Sequence, residues 1–220
     1  AIKLKKMTPE MAEKVLSNIE YTTDYSKIKN CGLVIEAATE NLPLKKKIFA
    51  NLEEIVSDDC ILTSNTSGIP ADQIFSHLKH PERTTITHFF APAWRSMGVE
   101  VINWEGADKS VIDTLLWFMA QAGKTLVVVR NVFSFLLNRL FETWASEAAW
   151  MLEKATCKEI DYVSEEFLGA GPFFVTGMGG GNPLTYSSQM RRIAEREAYA
   201  PNRILLSVEK WASNRPRTRV

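Results

Sequence analysis

The chain has 220 residues, of which 45% are hydrophobic and 24% charged. These are ordinary globular proportions, which exclude a wholly disordered chain and allow a substantial core without disulfide or metal staples. Lys+Arg and Asp+Glu both total 26, so no global field recruits nucleic acid or an anionic membrane, and neither is an expected partner.

In chain order, Leu33-Val34-Ile35 reads as a buried strand between Gly32 and Glu36. Asn41 stands as an N-cap with Pro43 in the first turn of a helix. Leu44, Ile48, Phe49, Leu52, Ile55 and Val56 form its apolar face, and Lys45, Lys46, Lys47, Glu53 and Glu54 its polar one. A second strand, Ile61 to Thr63, enters the polar turn Ser64-Asn65-Thr66-Ser67-Gly68. Pro70 to Leu78 reads as a short helix, Thr84 to Phe90 as a β-branched and aromatic strand, and Val99 to Ile102 as an extended segment. Val111, Ile112, Leu115, Leu116, Met119 and Ala122 mark a helix that stops at Gly123. Thr125 to Val129 is the most obvious buried strand of all. Strands separated by helices imply an α/β fold with a mostly parallel sheet.

After Arg130 the pattern turns helical. Phe133 to Ala155 holds neither glycine nor proline and reads as one long helix. Further helices are expected at Lys158–Phe167, Pro183–Ala198 and Pro201–Trp211, with a glycine-rich loop from Gly169 to Gly181. The expected organisation is therefore an α/β domain over 1–130 and an all-helical domain over 131–220.

Cys31, Cys60 and Cys157 form an odd set without a Cys-x-x-Cys pair. They match neither a disulfide framework nor zinc spacing, and they point to a reducing compartment. The apolar runs are too short to cross a membrane, and the lysine-rich start from Ala1 to Lys6 lacks the apolar core of a signal peptide. A cytoplasmic protein is the expectation.

His77 and His80 flank the end of a short polar helix, and no third metal ligand is evident nearby, so they read as solvated. His88 is different. It interrupts an apolar strand near the carboxyl end, where ligands sit in open α/β sheets, although a core histidine has the same signature. Glu100 stands between Val99 and Val101 and needs a partner if it is buried; an imidazole would serve, and a solvent face would serve as well. Asn138, with Ser134 and Glu142, lies at helical spacing, as a solvated stripe would. The Ser64–Ser67 turn offers hydroxyls and an amide at a strand end, or simply caps the next helix.

Together, Cys31–Ser67, Pro81–Ile102 and Gly123–Leu140 resemble the 3-hydroxyacyl-CoA dehydrogenases, with the likeness running from about Ile19 to Glu153. The family's serine in the Asn-Thr-Ser turn falls on Ser67, its histidine before two phenylalanines on His88, its glutamate in Val-Glu-Val on Glu100, and its asparagine before Arg-Leu on Asn138. The resemblance implies a Rossmann-like sheet, NAD as cofactor, and interconversion of a 3-hydroxyacyl-CoA with the 3-oxoacyl-CoA. His88 is then the general base held by Glu100, while Ser67 and Asn138 bind the reacting oxygens. Glu40 and Lys45 are implied contacts of the nicotinamide half, and Ser67 lies on that side too. A homodimer through the helical domain is also implied, and the apolar helix around Trp144 and Trp150 suits that interface or an internal core.

The match has departures. No glycine precedes Gly32, so the family's Gly-x-Gly-x-x-Gly turn is not found, and the dinucleotide-binding domain reads as truncated at its start. Gly177 to Gly181 does not replace it, because Asn182 stands at the third glycine position. Ala91 replaces an asparagine after the paired phenylalanines, and Asn131-Val132-Phe133-Ser134 stands where the family has Asp-Thr-Pro-Gly. Lys3, Lys5 and Lys6 suit either a CoA-phosphate contact or a solvated cluster. The competing expectation is a catalytically inactive fragment that serves as an oligomerisation or binding module.

Overall fold

A computed structural model describes residues 7–178. The expected helices at Pro183–Ala198 and Pro201–Trp211, and the lysines at positions 3, 5 and 6, lie outside the described residues. An unforeseen first helix, α1 (Pro9–Leu16), is capped by Thr8, whose hydroxyl accepts the Met11 amide at 3.2 Å. Thr8-Pro9 is a legible start signal.

A five-stranded sheet follows in the order β1 (Leu33–Glu36), β2 (Ile61–Ser64), β3 (Thr84–Phe89), β4 (Gly98–Asn103) and β5 (Thr125–Arg130). All neighbours run parallel except β3 and β4. Helices α2 (Leu42–Ile55) and α3 (Ala71–Phe75) cover one face, where Phe49, Leu52, Ile74 and Phe75 pack with Leu62, Ile86 and Ile102. Helix α4 (Lys109–Gln121) covers the other, where Val111, Ile112, Leu115 and Met119 meet Val101. Adjacent Val101 and Ile102 serve opposite faces because side chains alternate along a strand.

Two strands that read as buried are the sheet's edges among the described residues. On β5 only Val129 is buried, while Val127 and Val128 are exposed; on β1 Ile35 is exposed. An apolar run reports β preference, and only the pairing order decides how many neighbours cover it. The polar face of α2 also needs correction. Lys45 and Glu53 are buried there, because each finds polar partners that spacing cannot reveal: Glu36 and Ser64 for Lys45, and the Lys79 and His80 amides for Glu53.

The long helix from Phe133 is shorter than expected: α5 spans Leu137–Met151. Before it, Ser134 (φ 59°) and Phe135 (φ 49°) are left-handed, which no α-helix tolerates. Helix α6 (Cys157–Leu168) starts in a capping box between Thr156 and Glu159 and ends at left-handed Gly169. Within the expected loop lies a further helix, α7 (Pro172–Met178). Both oxygens of Asp161 cap it, accepting the Phe173 and Phe174 amides at 2.9 and 3.0 Å. That cap comes from another helix, so local composition could not announce it.

Candidate functional site

The antiparallel pairing of β3 with β4 creates the central feature. Its register sets His88 directly opposite Glu100, and opposed residues in such a pair hold their side chains side by side. Both are enclosed, His88 at 5% and Glu100 at 1% exposure. His88 Nδ1 lies 2.7 Å from Glu100 Oε2, while Glu100 Oε1 accepts the amides of Leu136 and Leu137 at 3.0 and 2.8 Å. Burial pushes the Glu100 carboxyl upward, but the His88 bond and the two amides outweigh it and hold the group below its ordinary value.

This arrangement fixes the imidazole tautomer. An ionised Glu100 can only accept, so Nδ1 carries the proton and neutral His88 keeps a lone pair on Nε2. Among the described residues Nε2 has no hydrogen bond. Phe90 and Phe135 flank the ring at centroid distances of 5.4 and 5.8 Å and restrict its tilt.

The left-handed turn at Ser134 and Phe135 brings the start of α5 onto Glu100. The carboxylate therefore supplies the N-terminal cap that the chain itself omits, since Leu136 makes no side-chain cap. Backbone strain of this kind is typically about 1–3 kcal/mol per residue and persists only where surroundings enforce it. Here the Ser134 amide donates to the Gly68 carbonyl at 3.0 Å, and Asn131 accepts the Ala71 amide at 2.7 Å.

Asn138, on the first turn of α5, donates its Nδ2 to the Ser67 carbonyl at 2.7 Å. Ser67 is exposed, and its hydroxyl has no recorded partner among the described residues. Asn65 ties this turn to the histidine strand, its Oδ1 accepting the Phe89 amide at 2.9 Å. Ser67, His88, Glu100 and Asn138 thus form one connected neighbourhood at the carboxyl ends of β2 and β3.

A second polar cluster sits at the ends of β1 and β2. Lys45, only 1% exposed, donates to Glu36 Oε2 at 2.6 Å and Ser64 Oγ at 3.1 Å, with Glu40 Oε2 at 3.7 Å. Glu40 Oε1 accepts the Thr66 hydroxyl at 2.8 Å and the Ser67 amide at 2.9 Å. Burial raises the Glu36 carboxyl, yet Lys45, Ser64 and the Ala38 amide together hold it below its ordinary value. Sequence reasoning picked out Glu40 and Lys45 but missed Glu36, which looked like the flank of a strand. A charge closing an apolar strand was the available signal.

His77 and His80 are exposed; His77 meets the Lys46 carbonyl and His80 the Glu82 carboxylate, both at 3.1 Å. Among the described residues no group of three or more His, Cys, Asp or Glu assembles a metal site, and the three cysteines are unbridged.

Known proteins share this architecture. The family model described as 3-hydroxyacyl-CoA dehydrogenase, NAD binding domain, matches residues 1–132. The crystal structure of M. tuberculosis FadB2 is 27% identical and aligns with a TM-score of 0.90 over 96% of this chain and 77% of its own. The 3-hydroxybutyryl-CoA dehydrogenase of Escherichia coli K12 is 28% identical, with a TM-score of 0.88 over 96% of this chain and 46% of that one. The (S)-3-hydroxybutyryl-CoA dehydrogenase PaaH1 of Ralstonia eutropha is 27% identical, with a TM-score of 0.88 over 96% of this chain and 76% of its own.

Proposed function

The chain belongs to the 3-hydroxyacyl-CoA dehydrogenase family, whose NAD-dependent dehydrogenase chemistry it shares, and we propose that it interconverts a 3-hydroxyacyl-CoA and the 3-oxoacyl-CoA through His88 and Glu100. The observation that carries this reading is the 2.7 Å contact between His88 Nδ1 and a Glu100 already bonded to two backbone amides. It leaves Nε2 basic and open to a ligand.

The residues present fit the nicotinamide half of NAD. The exposed Ser67 hydroxyl and the Glu40 carboxylate lie at the carboxyl ends of parallel strands, where open α/β sheets bind ligands. Lys45 is enclosed, so it serves the cofactor side through Glu40. The printed sequence has no Gly-x-Gly-x-x-Gly turn, so the fit concerns that half alone. When bound, NAD supplies the hydride acceptor.

In the oxidation direction His88 Nε2 takes the proton of the 3-hydroxyl. Positive charge then develops on the imidazole, and Glu100 balances it from the opposite nitrogen. General-base assistance of this kind contributes about 10²–10⁴-fold. In reduction the same nitrogen returns the proton. The Ser67 hydroxyl donates to the oxygen on which negative charge gathers, a role that preorganised donors perform with little rearrangement. Asn138 fixes the Ser67 turn through its carbonyl and stands beside it. Phe90 and Phe135 wall the imidazole on two sides.

The proposal places the enzyme in cytoplasmic acyl-CoA β-oxidation, acting as a homodimer. The exposed Leu140, Trp150 and Met151 on α5 supply an apolar face for a second copy. The test is an NADH fluorescence titration followed by acetoacetyl-CoA reduction at 340 nm (the NADH absorbance band). A saturable signal with thioester-dependent NADH consumption is expected. No saturable signal and no turnover would overturn the reading in favour of a binding module.

A further inference from the structure

Glu36 has no part in the proton transfer, yet it is a carboxylate enclosed at the end of a strand. Its Oε1 accepts the Ala38 amide at 2.7 Å, and its Oε2 accepts the Lys45 ammonium at 2.6 Å and the Ser64 hydroxyl at 2.8 Å. A buried ion pair gains little stability over an apolar pair of similar volume, because both charges must leave water. Packing alone therefore gives no reason for this one.

The contacts beyond the pair supply a reason. Lys45 Nζ also lies 3.7 Å from Glu40 Oε2, and the other oxygen of Glu40 accepts the Thr66 hydroxyl and the Ser67 amide. Ser64 Oγ accepts the Thr66 amide at 3.2 Å. Two routes thus run from Glu36 to one turn, the first through Lys45 and Glu40 and the second through Ser64. Both end beside the Ser67 hydroxyl.

We propose that Glu36 is a positioning residue, which acts through Lys45 and Ser64 to hold Glu40 and the Thr66–Ser67 turn in place on the cofactor side of the site. This inference rests on the functional reading above. Without the Glu36 charge, the enclosed Lys45 ammonium has Glu40 as the carboxylate within reach. Glu40 closes that gap at the expense of its bonds to Thr66 and Ser67. The turn then loses the anchor that sets its amide and hydroxyl.

Glu36→Gln keeps the shape and removes the charge. Hydrogen–deuterium exchange reads the turn directly: faster exchange is expected over residues 64–69, with β3 unchanged. In acetoacetyl-CoA reduction, KM for NADH is expected to rise about tenfold and kcat to fall several-fold, because the turn that carries the Ser67 hydroxyl on the cofactor side has lost its anchor.

A second variant, Glu36→Gln with Lys45→Met, removes both charges and folds without an unpaired ammonium. It is expected to regain the melting temperature of the unaltered protein while keeping fast exchange and a raised KM, because Glu40 has then lost the Lys45 ammonium and Ser64 the Glu36 carboxylate that together held the turn. Should Glu36→Gln alone fail to fold, this variant decides. Exchange and KM unchanged in the variants would overturn the proposal. So would a double variant that recovers both along with stability, which would reduce Glu36 to a neutraliser of buried charge. If the unaltered protein shows no NADH-dependent reduction, the functional reading falls instead, and exchange alone judges the positioning role.

Discussion

Two enclosed polar clusters lie among the described residues, and they differ in what they leave over. At the ends of parallel β1 and β2, the three donors of the Lys45 ammonium face Glu36, Ser64 and Glu40. Between antiparallel β3 and β4, His88 meets Glu100 through one nitrogen, and the other makes no hydrogen bond among the described residues. On the proposed reading the first cluster holds a turn and the second moves a proton. The Glu36–Lys45 and His88–Glu100 pairs are both buried, so burial alone does not mark reactivity; the unused atom does.

Substitutions can break this comparison. The largest effect on rate is expected for His88→Gln, which fills the same space without the base. Turnover should fall by about 10²–10⁴-fold with KM for the thioester nearly unchanged. Unchanged turnover in steady-state assays would remove His88 from the mechanism.

The largest effect on stability is expected for Lys45→Met, which strands the Glu36 carboxylate. Removing one partner of a buried pair typically costs about 3–5 kcal/mol. Thermal denaturation should show a clear loss, well beyond that of His88→Gln. Equal losses in the two variants would erase the distinction between the clusters.

Acid stability sharpens the contrast further. Glu100 titrates below the ordinary value of 4.5 in the folded chain. Its contribution to stability is thus complete above that value and is lost as pH falls through the lower, folded-state value. Urea denaturation from pH 6 to pH 3 should show a shallower acid decline in Glu100→Gln than in the unaltered protein. An identical slope would mean that the carboxylate carries no linkage.

The smallest effect tests the wall of the His88 cluster. A Cβ added at Gly98 would approach the Phe90 ring to 2.4 Å, and that ring packs against His88. Gly98→Ala should therefore tilt the imidazole and lower kcat by a few-fold, on the order of 1 kcal/mol. A kcat identical to that of the unaltered protein would show that Phe90 moves away freely.

Much of this was legible from residues alone. Asn41 caps α2 as its position indicates, its Oδ1 accepting the Leu44 amide at 3.0 Å. The periodic apolar residues of α4 are those that pack, apart from Ala122 at its exposed end. His88 and Glu100 stood out because each breaks an apolar run, and such a break demands a partner. The remainder depended on contacts distant in sequence. Glu36 and Lys45 find each other across a strand-to-helix crossover. Nothing local distinguishes a lysine that enters a carboxylate cage from its exposed neighbour Lys47.

The helix boundary near Phe133 shows the limit most clearly. Composition favoured continuous helix from that residue, but the chain turns left-handed at Ser134 and Phe135. The cause lies on β4, where Glu100 accepts the first free amides of α5. Sequence by itself determined the five strands, helices α2, α3, α4 and α6, and which polar residues sit oddly among them, because those depend on periodicity and local preference. Tertiary structure decided strand order, edge exposure and the partner of each buried charge, because hydrogen bonds and Coulomb attraction act through space and are indifferent to separation along the chain.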